Sequence, residues 1–307
     1  MDGMADPWGS TPAFDPSAEE RAEAAAGAHS VYAVVEPLRR STPLVFASPH
    51  SGQHYPQGCL LQSRLPLLSL RRSEDAYVDE LFASAASYGA PLLAANLARA
   101  YVDVNRDPAE LDPDMFSDRL PMHVQRGSPR VLAGLGAIPR IAGDGQDIYR
   151  RKLSAAEAKV RLSLVHAPYH AMLAALIAEA RAAFGCAVLI DCHSMPSCAR
   201  GPLQPDIVLG DRFGASCHPS VTGFVEAALQ RMGYRVTRNT PFAGGHTTQL
   251  HGRPMTGVHA LQVEINRSLY MDERTLTRSG GFERVRRDMT RLAAALSACL
   301  LYTSRRG

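Results

Sequence analysis

Four apolar residues, Ala187-Val-Leu-Ile190, run directly into Asp191-Cys-His-Ser194, and Pro196 stops the run. A short apolar run bounded this way reads as a strand buried on both faces, which requires helices above and below it. In an open α/β sheet, ligands gather beyond the carboxyl ends of the strands, so a polar cluster at that end is placed for chemistry. Two other runs end the same way. Leu44-Val-Phe-Ala47 leads into Ser48-Pro-His50-Ser-Gly52, and Ala260 to Arg267 alternates Leu261, Val263 and Ile265 against Gln262, Glu264 and Asn266. His50, His193 and Glu264 are therefore expected at one edge of one sheet.

The remaining chain alternates strand-like and helix-like stretches. Further strands are expected at Val31–Val35, Leu92–Ala95, Arg99–Arg106, Ile207–Leu209 and Tyr234–Val236. Helices are expected over Ser69–Tyr88, Lys152–Phe184, Val221–Met232 and Phe282–Tyr302, with Pro168 splitting or kinking the second and Gly185 ending it. This order predicts one α/β domain over residues 29–307, built as three α/β/α layers around a mixed, mostly parallel sheet. Residues 1–28, rich in Gly, Pro, Asp and Glu, are expected to form a disordered arm. Residues 107–148 are rich in Pro, Gly and Asp with little periodicity, which suits a functional or mobile loop region.

Several function classes fall away. A net charge of +3 without a basic, aromatic-laced stripe argues against a nucleic-acid partner. Six cysteines without a C-x-x-C pair exclude zinc-ribbon and thioredoxin readings. No signal-peptide layout and no apolar run of membrane-spanning length are apparent, so a cytoplasmic chain with reduced thiols and no membrane partner is expected. Cys192 and His193 are adjacent on a strand and point to opposite faces, against a cysteine nucleophile. Ser51 and Ser194 lack a G-x-S-x-G elbow. His166 and His170 have the spacing of a zinc pair, but without H-E-x-x-H and with Pro168 between them they read as structural.

Two imidazoles and a carboxylate are the usual ligands of a catalytic zinc, which keeps a fourth position for water. Three residues after His50, where zinc carboxypeptidases carry an acid, stands Gln53, a poor ligand. The acid then comes from elsewhere, and Glu74-Asp75 is the nearest pair, although either could cap a helix.

These residues resemble the N-formylglutamate amidohydrolase family. The matching segments are Ser48-Pro-His-Ser-Gly52, Asp75-Ala-Tyr-Val-Asp79, Tyr101-Val-Asp-Val-Asn-Arg-Asp-Pro108, Asp191-Cys-His-Ser194, Pro241-Phe-Ala-Gly-Gly-His246 and the stretch from Gly257 to Glu273. The resemblance implies a zinc-carboxypeptidase-like fold and hydrolysis of a small N-acyl amino acid, N-formyl-L-glutamate first. It favours Asp75 over Glu74, so that His50, Asp75 and His193 hold Zn2+ or another divalent metal. Glu264 is then the general base and later the acid to the leaving amine. Arg106 offers a bidentate fork for a substrate carboxylate with Asn105 beside it, and Arg267, His246 and Arg253 are further candidates for a second carboxylate or an oxyanion. His246 stands where some family members have tyrosine, which bears on the substrate rather than on the reaction. The rival of another class is a non-catalytic small-molecule binding protein on the same fold.

Overall fold

The computed structural model describes residues 30–304 other than Met122, Arg126 and 198–203. The arm expected at 1–28 lies outside the described residues.

Seven strands form one sheet: β1 (Tyr32–Val35), β2 (Leu44–Ser48), β3 (Leu92–Ala95), β4 (Ala187–Met195), β5 (Ile207–Gly210), β6 (Val236–Arg238) and β7 (Val258–Asn266). Their spatial order is β1-β3-β2-β4-β7-β5-β6. The β1–β3 and β5–β7 pairs are antiparallel and the other four are parallel, the mixed, mostly parallel sheet expected. A small ribbon, β8 (Met271–Asp272) with β9 (Thr277–Arg278), follows β7.

All nine residues of central β4 are buried, as a strand covered on both faces must be. Alternation then sorts the side chains. Val45, Ala47, Ala187, Leu189, Val258 and Ala260 belong to one core with Leu162, Tyr169, Leu173 and Ile177. Phe46, Val188, Ile190, Cys192, Leu261, Val263 and Ile265 belong to the other with Val225, Val285, Met289 and Leu292. Residues 191, 193, 262 and 264 share the parity of the first group, and Cys192 lies on the opposite face from His193. The in-register pairing sets Asp191 beside Gln262 and His193 beside Glu264.

The helices are α1 (Gln57–Gln62), α2 (Leu67–Arg71), α3 (Val78–Phe82), α4 (Pro129–Leu132), α5 (Ala155–Arg161), α6 (Ala167–Phe184), α7 (Pro219–Arg231), α8 (His246–His251) and α9 (Phe282–Ser304). A capping box between Ser154 and Glu157 starts α5. Between α5 and α6 the chain makes a π turn, Leu162–His166, just before Pro168; widening the turn accommodates the proline without breaking the helix. Ala155–Phe184 is long and apolar enough to cross a membrane by composition, contrary to the expectation that no segment is. Tyr169, Leu173, Leu176, Ile177 and Ala180 pack in the core, as in a buried helix of a folded domain.

The strand expected at Tyr234–Val236 forms instead at Val236–Arg238, because the Tyr234 N–H closes the preceding helix on Leu229 O. Two further expectations fail. Arg99–Arg106 is not a strand: Tyr101 and Val102 N–H bond locally to Ala98 O and Arg106 N–H to Asp103 O, while Asp103 N–H donates to Ala137 O of an irregular stretch rather than to a strand. The Asp103 carboxylate accepts the Asn105 N–H at 2.9 Å, and such local bonds compete with ladder pairing. The helix expected over Ser69–Tyr88 is broken between α2 and α3 and ends in a 3-10 segment, Ala83–Tyr88. Within residues 107–148, Leu111, Met115, Phe116, Ile138 and Ile148 are buried in the core, so this irregular stretch is packed despite its lack of periodicity.

Candidate metal centre and active site

The break between α2 and α3 is what presents Asp75. Tyr77 caps α3 with φ of 67°, a left-handed conformation that costs a bulky residue on the order of 1 kcal/mol or more. The Asp75 N–H donates to His50 O at 2.9 Å, tying two prospective ligands through the backbone. Glu74 is also buried but turns away, accepting from Tyr55 Oη at 2.8 Å and from Arg71. Both acids are inside the fold and neither is a solvated cap. After His50 the chain passes so close to its neighbour that a Cβ on Gly52 would lie 2.3 Å from Leu97 O, a spacing only glycine allows.

His50, Asp75 and His193 converge. His193 Nδ1 lies 3.1 Å from both His50 Nδ1 and Asp75 Oδ2, and His50 Nδ1 lies 3.3 Å from Asp75 Oδ2. Ligands held about 2.0–2.1 Å from a tetrahedral zinc stand roughly 3.3 Å apart, so this triangle fits such an ion without rearrangement. The far ring nitrogens face acids. His50 Nε2 is 2.7 Å from Asp103 Oδ1, and His193 Nε2 is 3.1 Å from Asp191 Oδ2. Both Asp191 oxygens nevertheless lack a hydrogen bond, because the contact is close but poorly aligned. An ion on Nδ1 requires the proton on Nε2, where Asp191 is at hand to accept it. Carboxylates behind ligating histidines are the usual support of such a site.

The electrostatics agree with a cation there. Burial would push the Asp75 carboxyl up, but His193, His50 and Arg267 outweigh it and hold the group well below the usual carboxylate range. Asp103 is held down likewise by Arg99, His50 and Arg106 against its burial. Burial would lower His193, yet Asp191, Asp75 and Glu264 keep the imidazole far above its ordinary value. In the metal-free chain a proton on His193 thus balances these acids, and an ion would replace it.

Glu264 is buried beside His193. Burial, with Asp75 and Asp191 near, raises its carboxyl to about 7 in spite of His193 and Arg99. Its Oε1 accepts from Gln262 Nε2 at 2.7 Å, and Gln262 is itself oriented because its Oε1 accepts the Gly245 N–H at 2.7 Å. A carboxyl poised near neutrality can both take and give a proton.

The five residues expected to meet substrate separate here, and Arg253 spends its Nη1 on Gln249 O and Gly252 O. Asn105 is buried and committed: its Oδ1 accepts the Thr247 N–H at 2.8 Å and its Nδ2 lies 3.2 Å from His193 Nε2. Arg267 is buried and donates to Asp75 Oδ1 at 2.8 Å, to Ser194 Oγ and to Arg72 O. Arg106 donates to Leu135 O and Asn105 O, and its Nη2 makes no hydrogen bond among the described residues. His246 opens α8 within a group of histidines. Sequence reasoning gives no role to Asp103, Arg99 or Gln262. For Asp103 the signal is there: it lies inside the Tyr101–Pro108 segment, but the alternation of that segment reads as a strand.

Gly245 closes against this arrangement. A Cβ there would stand 2.4 Å from both amide atoms of Asn105, which is pinned and cannot give. Gly245→Ala is therefore expected to lower stability by about 1–3 kcal/mol, measured as a reduced urea midpoint at unchanged m-value.

The family profile of N-formylglutamate amidohydrolase matches residues 42–271. The chain is 34% identical over 245 residues to N-formylglutamate deformylase of Pseudomonas aeruginosa, covering 76% of this chain and 84% of the relative. It is 31% identical over 241 residues to the Pseudomonas putida deformylase, covering 75% and 82%. The crystal structure of N-formylglutamate amidohydrolase from Ralstonia eutropha JMP134 superposes with a TM-score of 0.84 at 34% identity, over 90% of this chain and 100% of that one. An Agrobacterium tumefaciens protein at 21% identity and TM-score 0.62 shares the fold. With a profile match across the whole site-bearing region and these identities, the chain belongs to the N-formylglutamate amidohydrolase family of hydrolases.

Proposed function

We propose that this enzyme hydrolyses N-formyl-L-glutamate to formate and L-glutamate, with a zinc ion held by His50, Asp75 and His193. The observation that carries the reading is the placement of Glu264 beside His193, next to a triangle of donor atoms spaced for zinc. Zinc or another divalent ion there supplies a Lewis acid and lowers the pKa of a coordinated water to about 7. Glu264 takes a proton from the attacking water as oxygen adds to the formyl carbon. It returns that proton to the amide nitrogen as the C–N bond breaks, so glutamate leaves as a neutral amine beside formic acid, whose proton then passes to that amine to give formate and the ammonium form of glutamate. Gln262 keeps the carboxyl aimed throughout. Arg106, whose Nη2 is uncommitted among the described residues, is assigned a substrate carboxylate, whereas Arg267 positions the ligand Asp75 and Asn105 is held at the edge of the site by the Thr247 N–H.

The test is formate release from N-formyl-L-glutamate by purified protein, set against N-formyl-aspartate and N-acetyl-glutamate. Release is expected to stop with chelator and return with zinc. Bound metal without hydrolysis of any of the three, and no effect of Glu264→Gln, would establish a binding protein instead.

A further inference from the structure

Apart from the His50–Asp75–His193 triangle, four imidazoles gather where α6 passes the 103–106 segment. His166, His170 and His246 are buried, and His251 lies partly buried at the end of α8. Ring centroids stand 4.6 Å apart for His166–His170, 5.7 Å for His166–His246 and 5.3 Å for both His170–His246 and His170–His251. His166 sits in the π turn itself.

Backbone carbonyls fix two of the tautomers. His166 Nε2 lies 2.9 Å from Arg106 O, and His170 Nε2 lies 2.7 Å from Val104 O. A carbonyl oxygen only accepts, so both rings carry their proton on Nε2 and, when neutral, leave Nδ1 as a bare donor atom. His170 Nδ1 is met by His251 Nε2 at 3.0 Å, with His251 donating. The His246 ring makes no hydrogen bond among the described residues. One ring nitrogen held by a backbone carbonyl, and the other bare and facing its neighbours, is the arrangement ligating histidines adopt.

We propose that His166, His170 and His246 hold a second metal ion, of the imidazole-preferring class that includes Zn2+, Co2+ and Ni2+. Their donor atoms lie within 4.8 Å of one another. Closing to the roughly 3.3 Å spacing of tetrahedral ligands takes ring rotation and release of the His251 contact with His170 Nδ1. Asn105 stands between the two sites, its O accepting from His246 N at 3.4 Å and its amide against His193. Among the described residues no carboxylate joins the second set, so it differs in donor chemistry from the first.

The experiment is metal content of the full chain, stripped with chelator, reloaded with Co2+ and desalted, read by elemental analysis and visible absorption. Wild-type protein is expected to hold about two equivalents per chain. His246→Gln and His166→Gln are each expected to hold about one, with circular dichroism reporting their folding. His50→Ala is expected to keep about one, that of the histidine trio. A single equivalent in the wild type that survives in folded His246→Gln overturns the proposal, as do two equivalents retained in a folded His246→Gln or His166→Gln; a single equivalent lost in His246→Gln but kept in His50→Ala supports it and contradicts only the first site. Loss of all metal from His50→Ala would also overturn it as a site of its own. Because the readout is stoichiometry, a chain that binds the second ion but releases no formate contradicts only the functional reading.

Discussion

Glu264→Gln is expected to lower kcat for N-formyl-L-glutamate by about two to four orders of magnitude while leaving metal content unchanged, since a glutamine keeps the shape but cannot carry the proton. The same substitution is expected to stabilise the metal-free protein at pH 8. The Glu264 carboxyl stands at about 7, against an ordinary value of 4.5, chiefly because it is buried. The folded chain therefore binds this proton more tightly than the unfolded chain, and stability falls as pH rises from about 4.5 through about 7. Above that range the buried charge costs on the order of 3 kcal/mol. The amide introduced by the substitution can still accept the Gln262 N–H and carries no charge, so the variant's urea midpoint is expected to exceed the wild type's at pH 8 and to match it near pH 4.5. A bound dication favours the carboxylate, so the acid limb of kcat/KM in the loaded enzyme is expected below pH 7. Full activity in Glu264→Gln, or a stability gap that does not close in acid, would remove Glu264 from the proton-transfer role.

The strand ends were legible because two periodic facts coincide there. Strict alternation in 260–266 and the apolar runs at 44–47 and 187–190 specify both the sheet and the face on which His193 and Glu264 meet. Asp75 was legible only as one of two adjacent acids. What separates it from Glu74 is the break after α2 and the left-handed Tyr77, a local conformation that a helical period in 69–88 conceals. Asp103 and Asn105 are hidden for a related reason. Their alternation with Val102 and Val104 resembles a strand, but all four are buried and the backbone is held by turns. Arg267 reads as a substrate contact because an arginine after a catalytic strand suits an anion. Its actual partner, Asp75, is 192 residues earlier, a pairing that exists only once the sheet edge has assembled. The histidine group around His170 draws on α6 and α8, and nothing in the spacing of His166 and His170 points to His246.

The largest effect on the fold is expected from Asp75→Ala, which should abolish metal binding and destabilise the chain by about 3–5 kcal/mol. Asp75 serves two partners with two oxygens. Oδ2 faces His50 and His193, while Oδ1 takes the buried Arg267 guanidinium at 2.8 Å and lies 3.9 Å from Arg99. Removing the carboxylate leaves the Arg267 charge inside the protein beside a cavity, which is why the loss should exceed that of a surface ion pair. Asp75 is depressed well below its ordinary 3.8, so its contribution to the metal-free chain is present above that value and is lost as pH falls below it. The destabilisation by Asp75→Ala is accordingly expected to be full at neutral pH and to shrink in strong acid. The double variant Asp75→Ala with Arg267→Met separates the two roles. Replacing the stranded guanidinium with an apolar side chain should recover a large part of the urea midpoint, because the uncompensated charge is gone, yet metal binding should stay lost because Oδ2 is gone too. Recovery of metal binding in the double variant would mean that Arg267, and not Asp75, governs the affinity of the site.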